Sequence, residues 1–264
     1  MNKPKKTQSI PRSRAVRVAG AVLSVSAAVA LATGCSSSDD SADTSKTTAP
    51  SMKETSRTTQ PTVSVADAAK LVEQSAQTTR LMQSVNVDLT VSESIQALPM
   101  RKVNGSLTST PSPAAKGNGS FRINGNILDT EFVVVDGELY TKAKGTDEFQ
   151  NIGEAKKFYD PAVILDRDRG LANILANLQN PKSAGSETID GVATQKVTGT
   201  VEASVLDPVF PSQGDQKLTG ALPVTLWIDA KAPYNLVQMT VTVGKGEIKL
   251  VTSKWQDPVT VTKP

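Results

Sequence analysis

The sequence contains no histidine and only one cysteine in 264 residues. Without histidine there is no Ser-His-Asp or Cys-His catalytic arrangement and no His-ligated metal site. A single cysteine has no partner for an internal disulfide. Aromatic residues are scarce, at two Trp, three Tyr and five Phe. No predicted strand or helix interleaves them with clustered Lys and Arg, which speaks against nucleic-acid binding. Neither a G-x-S-x-G elbow, nor S-x-x-K with its companion motifs, nor a phosphate loop is present. The Gly-rich stretch "GNGSFRING" is followed by no crossover helix, so it does not match a dinucleotide loop. These absences predict a non-enzymatic protein with no cofactor and no metal.

Long apolar runs are also missing. The uncharged segment Val18–Thr33 has about 16 residues, rich in Ala and Ser, against the roughly 20 needed to span a bilayer. It follows a basic start, Lys3, Lys5, Lys6, Arg12, Arg14 and Arg17, that holds no acid. A basic region, a short apolar core and small residues form the layout of a secretory signal peptide. The run ends in Ala32-Thr33-Gly34-Cys35, which resembles the lipobox of bacterial lipoproteins. Most such boxes have Leu where this chain has Ala32, a mild departure. The expectation is cleavage after Gly34, with S-diacylglycerylation and N-acylation (palmitate chemistry) of Cys35. That would place the mature chain at the extracytoplasmic face of the plasma membrane, lipid-anchored in the cell envelope.

Removing residues 1–34 changes the charge. The whole chain is +3, whereas residues 35–264 carry 23 basic and 26 acidic residues, a net −3. The basic isoelectric point belongs to the leader and gives no case for a polyanionic partner. Residues 35–63 are mostly Ser, Thr, Asp, Lys and Pro. Such a composition buries too little to offset ordering entropy, which predicts a flexible tether.

A folded domain is expected over residues 64–264. Ser64 and Asp67 make a capping box, and Ala68, Leu71, Val72, Ala76 and Leu81/Met82 approximate one helical face. The period then switches to two. "VNVDLTVSE" places Val85, Val87, Leu89 and Val91 on one side, which predicts a half-buried strand. "GSFRIN", the two runs around Asp136-Gly137, "ATQKVTGTV", "LPVTLWIDA", "NLVQMTVTV" and "EIKLVTSKW" read as further strands. Asp136-Gly137 and Asp190-Gly191 are hairpin signals, because a type I′ turn needs positive φ at both central residues. A helical insert, "YDPAVILDRDRGLANILANLQNP", has Asp160 as N-cap before Pro161 and is expected to end at Pro181. Its Asp166-Arg167-Asp168-Arg169 run reads as a solvated, self-paired loop. "EASVLDPVF" predicts another short helix. The sum is an α+β domain with eight or nine consecutive antiparallel strands and three or four helices.

Phe132–Val135, Leu226–Ile228 and Leu236–Val237 show no alternation, so both faces of these strands should avoid water. Two arrangements satisfy that: central strands fully packed on both sides, or a curved sheet whose inner face lines an apolar cavity.

The stretches "EFVVVDGELYTK", "IGEAKKFYDPAVILDRDRGLANILANLQNP", "IDGVATQKVTGTVEASVLDP", "LPVTLWID" and "SKWQDPVTVTKP" resemble, in the same order, the LppX/LprA/LprF/LprG lipoproteins of mycobacteria and related actinobacteria. The likeness runs from about Ala68 to Pro264 and is strongest to the LprF and LprG branches. It implies a half-barrel antiparallel sheet packed on several helices and enclosing a large hydrophobic cavity. It also implies carriage of acylated glycolipids: triacylated phosphatidylinositol mannosides, lipoarabinomannan or triacylglycerol. A major-facilitator efflux transporter is the implied partner. Phe121, Ile123 and Phe132–Val135 match the family's cavity-lining sheet. Strand parity adds Val87, Leu89, Val91, Leu107, Leu139, Leu226 and Ile228 to Phe121, Ile123, Phe132 and Val134 as cavity positions. A competing expectation is a tethered scaffold lipoprotein, with a filled core, that partners a transporter and carries no lipid.

Overall fold

The computed structural model describes residues 64–123, 125–213 and 217–264. Gly34, Cys35 and the tether therefore lie outside the described residues. The first element, α1 (Val65–Arg80), begins as its sequence requires. The Ser64 hydroxyl accepts from the Asp67 amide at 3.2 Å, and the Asp67 carboxylate accepts from the Ser64 amide at 3.2 Å. Ala68, Val72, Ser75, Ala76 and Thr79 form its buried face.

Eleven strands follow, all in one antiparallel sheet: β1 (Ser84–Val91), β2 (Met100–Thr108), β3 (Ala114–Ile123), β4 (Asn126–Val135), β5 (Glu138–Ala143), β6 (Gln150–Glu154), β7 (Gln179–Ile189), β8 (Val192–Glu202), β9 (Ala221–Asp229), β10 (Leu236–Val243) and β11 (Gly246–Ser253). The spatial order is β6-β5-β4-β3-β2-β1-β11-β10-β9-β8-β7. Two meanders thus run outward from a central seam, where the first strand pairs with the last through Val87 opposite Thr252 and Leu89 opposite Leu250. The outer strands β6 and β7 do not pair, so the sheet is an open half-barrel.

Two more strands form than the pattern predicts. β2 and β6, "MRKVNGSLT" and "QNIGE", alternate too weakly to be read alone; neighbours on both sides recruit β2. Both predicted hairpins are present, with φ of 53° and 76° at Asp136-Gly137 and 47° and 84° at Asp190-Gly191.

The helical insert is shorter than its periodicity predicts. It is a 3-10 turn over Pro161–Leu165 and a six-residue α2 (Leu171–Ala176). Asp160 caps the turn, accepting from the Ala162 amide at 3.0 Å. Pro181 does not stop the helix, which has already ended; it sits inside β7, an edge strand, where a missing N–H is tolerated. The acidic-basic loop pairs with itself, Arg169 Nη2 donating to Asp166 Oδ2 at 2.7 Å. A four-residue α3 (Ala203–Leu206) occupies the last predicted helix.

One hydrophobic core runs along the inner face of the sheet. It joins Val85, Val87, Leu89, Leu226, Ile228 and Leu250 to Leu171, Ile174 and Leu175 of α2 and to Leu206, Val209 and Phe210 at α3. α1 packs on α2 and against β7 and β9. The expectation of burial on both sides holds for Leu226-Trp227-Ile228 and β10. It fails for β4, where Phe132 and Val134 are buried while Val133 and Val135 are only half-buried. The outward side of β4 meets the irregular C-terminal segment, where Lys116 and Tyr140, the partners of Val133, touch Thr260 and Lys263, so burial there is partial.

Candidate functional site

The helices cover the inner face unevenly. Over β7–β11 the inner side chains meet α2 and α3 and fill the space between. Over β2–β6 only the short turns at residues 155–165 approach, and a cavity of about 410 Å³ remains. Its floor is Val103, Phe121, Leu128, Phe132 and Leu139, and its roof is Phe158, Tyr159 and Pro161. This size lies within the range of small-molecule sites.

Glycines lie next to the floor residue Phe132. Gly105 of β2 pairs with Gly117 of β3, and Gly117 pairs with Phe132 of β4. The Phe132 ring lies across the bare backbone: a Cβ on Gly105 would stand 3.2 Å from its Cζ. Beside it Gly119 faces Val103 and Thr130. Even a Cβ has no room at these positions: on Gly117 it would stand 2.1 Å from the Asn104 carbonyl oxygen, and on Gly119 2.3 Å from the Phe121 ring.

The polar groups at the cavity are few. Tyr159 is fully buried; burial holds its phenol well above the usual tyrosine range, and its hydroxyl donates to the Val209 carbonyl at 3.3 Å. Arg122 donates to the Gln96 amide oxygen. Arg101, beneath it, donates to the Ile95 carbonyl at 3.1 Å, and desolvation together with Arg122 lowers its pKa. Lys157 is held by Glu154 at 2.9 Å. Arg122 and Lys157 line the cavity, and no carboxylate does. Thr130, Thr141 and Gln213 complete the polar part of the lining, beside a larger apolar part. The cavity's chemistry is that of solvation: it can take an apolar chain.

A larger groove of about 540 Å³ is of a different kind. It is lined by Asp88, Asn104, Ser120, Glu131 and Lys142, which already pair among themselves and their neighbours. Asn104 donates to Asp88 at 3.1 Å, Ser120 to Asp129 at 2.5 Å, and Lys142 meets Glu131 at 3.0 Å. An acyl chain would have to displace these groups and their water without replacing their hydrogen bonds. The apolar cavity is the better candidate.

Of the positions chosen from the sequence, Phe121, Phe132 and Leu139 line the apolar cavity. Val87, Leu89, Val91, Leu107, Val134, Leu226 and Ile228 are buried in the hydrophobic core, and Leu89 also borders the polar groove described above. Ile123 closes the β3–β4 pairing opposite Asn126, and its side chain is outside the described part. Sequence reasoning missed Val103, Leu128, Ile152, Phe158 and Tyr159. Leu128 was within reach, since it shares strand parity with Phe132. Phe158 and Tyr159 carry no local signal, because only the tertiary fold lays residues 155–161 over the sheet.

The sequence profile of the LppX_LprAFG lipoproteins matches residues 67–261, the whole described domain but its extremities. The chain belongs to this lipoprotein family. Within it, LprF of Mycobacterium tuberculosis (strain ATCC 25618 / H37Rv), provisionally named a diacylated glycolipid transporter, is 38% identical over 208 residues, covering 75% of this chain and 78% of that protein. The lipoarabinomannan carrier protein LprG of Mycolicibacterium hassiacum is 37% identical over 239 residues, covering 90% and 93%. The crystal structure of LprF from Mycobacterium bovis superposes with a TM-score of 0.70 at 37% identity, covering 76% of this chain and 99% of that one. The Mycobacterium tuberculosis lipoprotein LppX gives 0.57 at 27% identity, covering 75% and 99%. The open eleven-stranded sheet is thus the family's architecture.

Proposed function

We propose that this protein is a membrane-anchored carrier that holds an acyl chain of a glycolipid in the cavity beneath β2–β6 and moves it toward the outer envelope. The cavity itself is the observation that carries the reading: an apolar pocket of about 410 Å³ whose lining includes no carboxylate. The names of its LprF and LprG relatives, a glycolipid transporter and a lipoarabinomannan carrier, agree with it.

The physical case is one of transfer. An acyl chain leaving a bilayer exposes its methylenes to water at about 0.8 kcal/mol each. A long chain therefore does not cross an aqueous gap alone at a useful rate. Phe121, Leu128, Phe132 and Leu139 replace lipid with protein of similar polarity, so exchange between membrane and cavity is close to neutral and reversible. The chain would lie inside, and the sugar head would stay in water at the mouth. The cargo class we assign is the acylated glycolipids: triacylated phosphatidylinositol mannosides, lipoarabinomannan and, without a sugar, triacylglycerol.

The anchor completes the proposal. Residues 1–34 would be removed as a signal peptide, Cys35 would carry the lipid modification, and residues 35–63 would tether the domain of residues 64–264 at the extracytoplasmic face. A major-facilitator efflux transporter would act beside it. The deciding measurement is organic extraction of the purified domain followed by mass spectrometry. Acylated lipid in near-stoichiometric amount is expected. A domain that yields none, and takes up none when offered, would refute the carrier reading and leave a tethered scaffold.

A further inference from the structure

Among the described residues, the large apolar side chains that stand exposed are Val65, Leu81, Ile127, Leu128, Ile152 and Phe158. The first two lie at opposite ends of α1. The other four gather at one place. Leu128, Ile152 and Phe158 line the apolar cavity while remaining 43%, 39% and 50% exposed, which puts them at its mouth. Ile127, 55% exposed, is the chain neighbour of Leu128.

The β4 end is the informative part. Adjacent residues of a strand point to opposite faces of the sheet. Ile127 pairs with Arg122 and Leu128 with Phe121, so an exposed apolar side chain emerges on each side of one strand end. A protein that docks on one face of a sheet can cover only one of the two. A medium that surrounds the strand end covers both, and the apolar margin of a bilayer is such a medium.

Three cations stand around the mouth. Lys156 and Lys157 precede Phe158, their side chains 78% and 65% exposed, and Arg122 lies beside them in the lining. Of the acids nearby, Glu154 is engaged by both lysines at 2.8 and 2.9 Å, Asp129 accepts from Ser120 at 2.5 Å, and Asp160 accepts from the Ala162 amide at 3.0 Å. Residues 35–264 as a whole are net −3, so the chain has no general attraction to an anionic surface. The rim departs locally from that charge, and it does so where the exposed apolar residues are.

We propose that this rim, Ile127, Leu128, Ile152 and Phe158 flanked by Lys156 and Lys157, is the surface by which the domain docks on an anionic bilayer, placing the cavity mouth directly against the lipid it takes up. The apolar residues enter the headgroup boundary, and the lysines stay at the level of the lipid phosphates, each near-surface cation adding to the attraction. Lipid then passes from bilayer to cavity without crossing water. This rests on the carrier reading, which it supplies with an entry route.

The test uses residues 64–264, the described domain, which is matched over 99% of the crystallised LprF chain. Sedimentation is measured with phosphatidylcholine vesicles, with and without phosphatidylglycerol. Two variants, Ile127→Asp and Lys156→Glu, change the rim but not the cavity lining. The domain is expected to bind phosphatidylglycerol-containing vesicles better than neutral ones. Ile127→Asp should weaken that binding roughly tenfold, from the lost burial of one aliphatic side chain, and Lys156→Glu roughly fivefold or more. Both should withdraw lipid more slowly from vesicles, yet load as much lipid as the parent from detergent micelles. Variants that bind and withdraw lipid like the parent would overturn the docking surface. So would a parent that binds no vesicle, including one whose rim instead captures a protein. A parent that docks through the rim but takes no lipid even from micelles would refute the carrier reading and leave the docking surface standing.

Discussion

Gly117 faces Gly105 across the β2–β3 ladder so closely that a Cβ on Gly117 would stand 2.6 Å from the Gly105 Cα and 2.1 Å from the Asn104 carbonyl oxygen. These contacts are with backbone, which cannot swing aside as a long side chain can. Gly117→Ala is therefore expected to force the two strands apart at the cavity floor. Overpacking of this kind costs about 1–3 kcal/mol. Thermal unfolding should show a lower midpoint, and an unchanged midpoint would mean that the strands separate freely here.

The cavity and the packed core should respond oppositely to substitution. Thr141 lines the cavity and is half-buried, so Thr141→Trp has open volume to enter. Lipid uptake should fall roughly tenfold if the added ring displaces even part of a buried acyl chain, with little change in unfolding midpoint. Leu226, fully buried against the core, should behave in reverse. Leu226→Ala should cost about 2–5 kcal/mol while lipid uptake by the folded fraction persists. Equal effects on uptake would place the lipid elsewhere.

Asp160 gives a pH dependence of known sign. Burial raises its carboxyl above the usual Asp range, opposed by the Ala162 amide and by Arg169. A raised folded-state value contributes stability below the ordinary carboxylate range, and that contribution is lost as pH rises through the raised value. Asp160→Asn keeps an acceptor for the Ala162 amide and removes the buried charge. It should be at least as stable as the parent at neutral pH and should flatten the stability profile in the mildly acidic window. Asp160→Ala loses the cap and should cost about 1 kcal/mol. Both follow from denaturant midpoints measured across pH.

The Trp227 indole donates to Glu187 Oε2 at 2.8 Å, beneath Lys196, whose Nζ lies 4.9 Å from the ring centroid. The Trp227 hydrogen bond, with help from Lys196, holds the Glu187 carboxyl below its usual range. A lowered value means the interaction is fully present above the ordinary Glu range and is lost as pH falls through the lowered one. Tryptophan emission should shift in that acidic window and be flat in Glu187→Gln. The other tryptophan, Trp255, donates to the Thr252 hydroxyl at 2.9 Å, which does not titrate. A shift that survives in Glu187→Gln would assign it to another group.

Cys35 is tested in the cell. In Cys35→Ala the protein should move from the membrane fraction to the soluble extracytoplasmic fraction, or accumulate as uncleaved precursor. Membrane retention with a cleaved leader would exclude lipidation as the anchor.

Local sequence chemistry determined much of this protein. The Ser64–Asp67 box, the Asp160 cap and the two Asp-Gly turns act within a few residues, so composition and spacing suffice for them. Alternation in β1 assigned its buried face for the same reason. Tertiary structure decided what depends on distant partners. β2 and β6 are strands because neighbours supply their hydrogen bonds, not because their own side chains alternate. The apolar run Phe132–Val135 is only half-buried on its second face because the irregular C-terminal segment, not a helix, lies over that side of β4. Val87, Leu107 and Leu226 share parity with cavity positions, yet they are buried in the hydrophobic core. The cavity lies only where residues 155–161 make a thin roof over β2–β6. Parity tells which way a side chain points; only packing tells whether something stands in front of it.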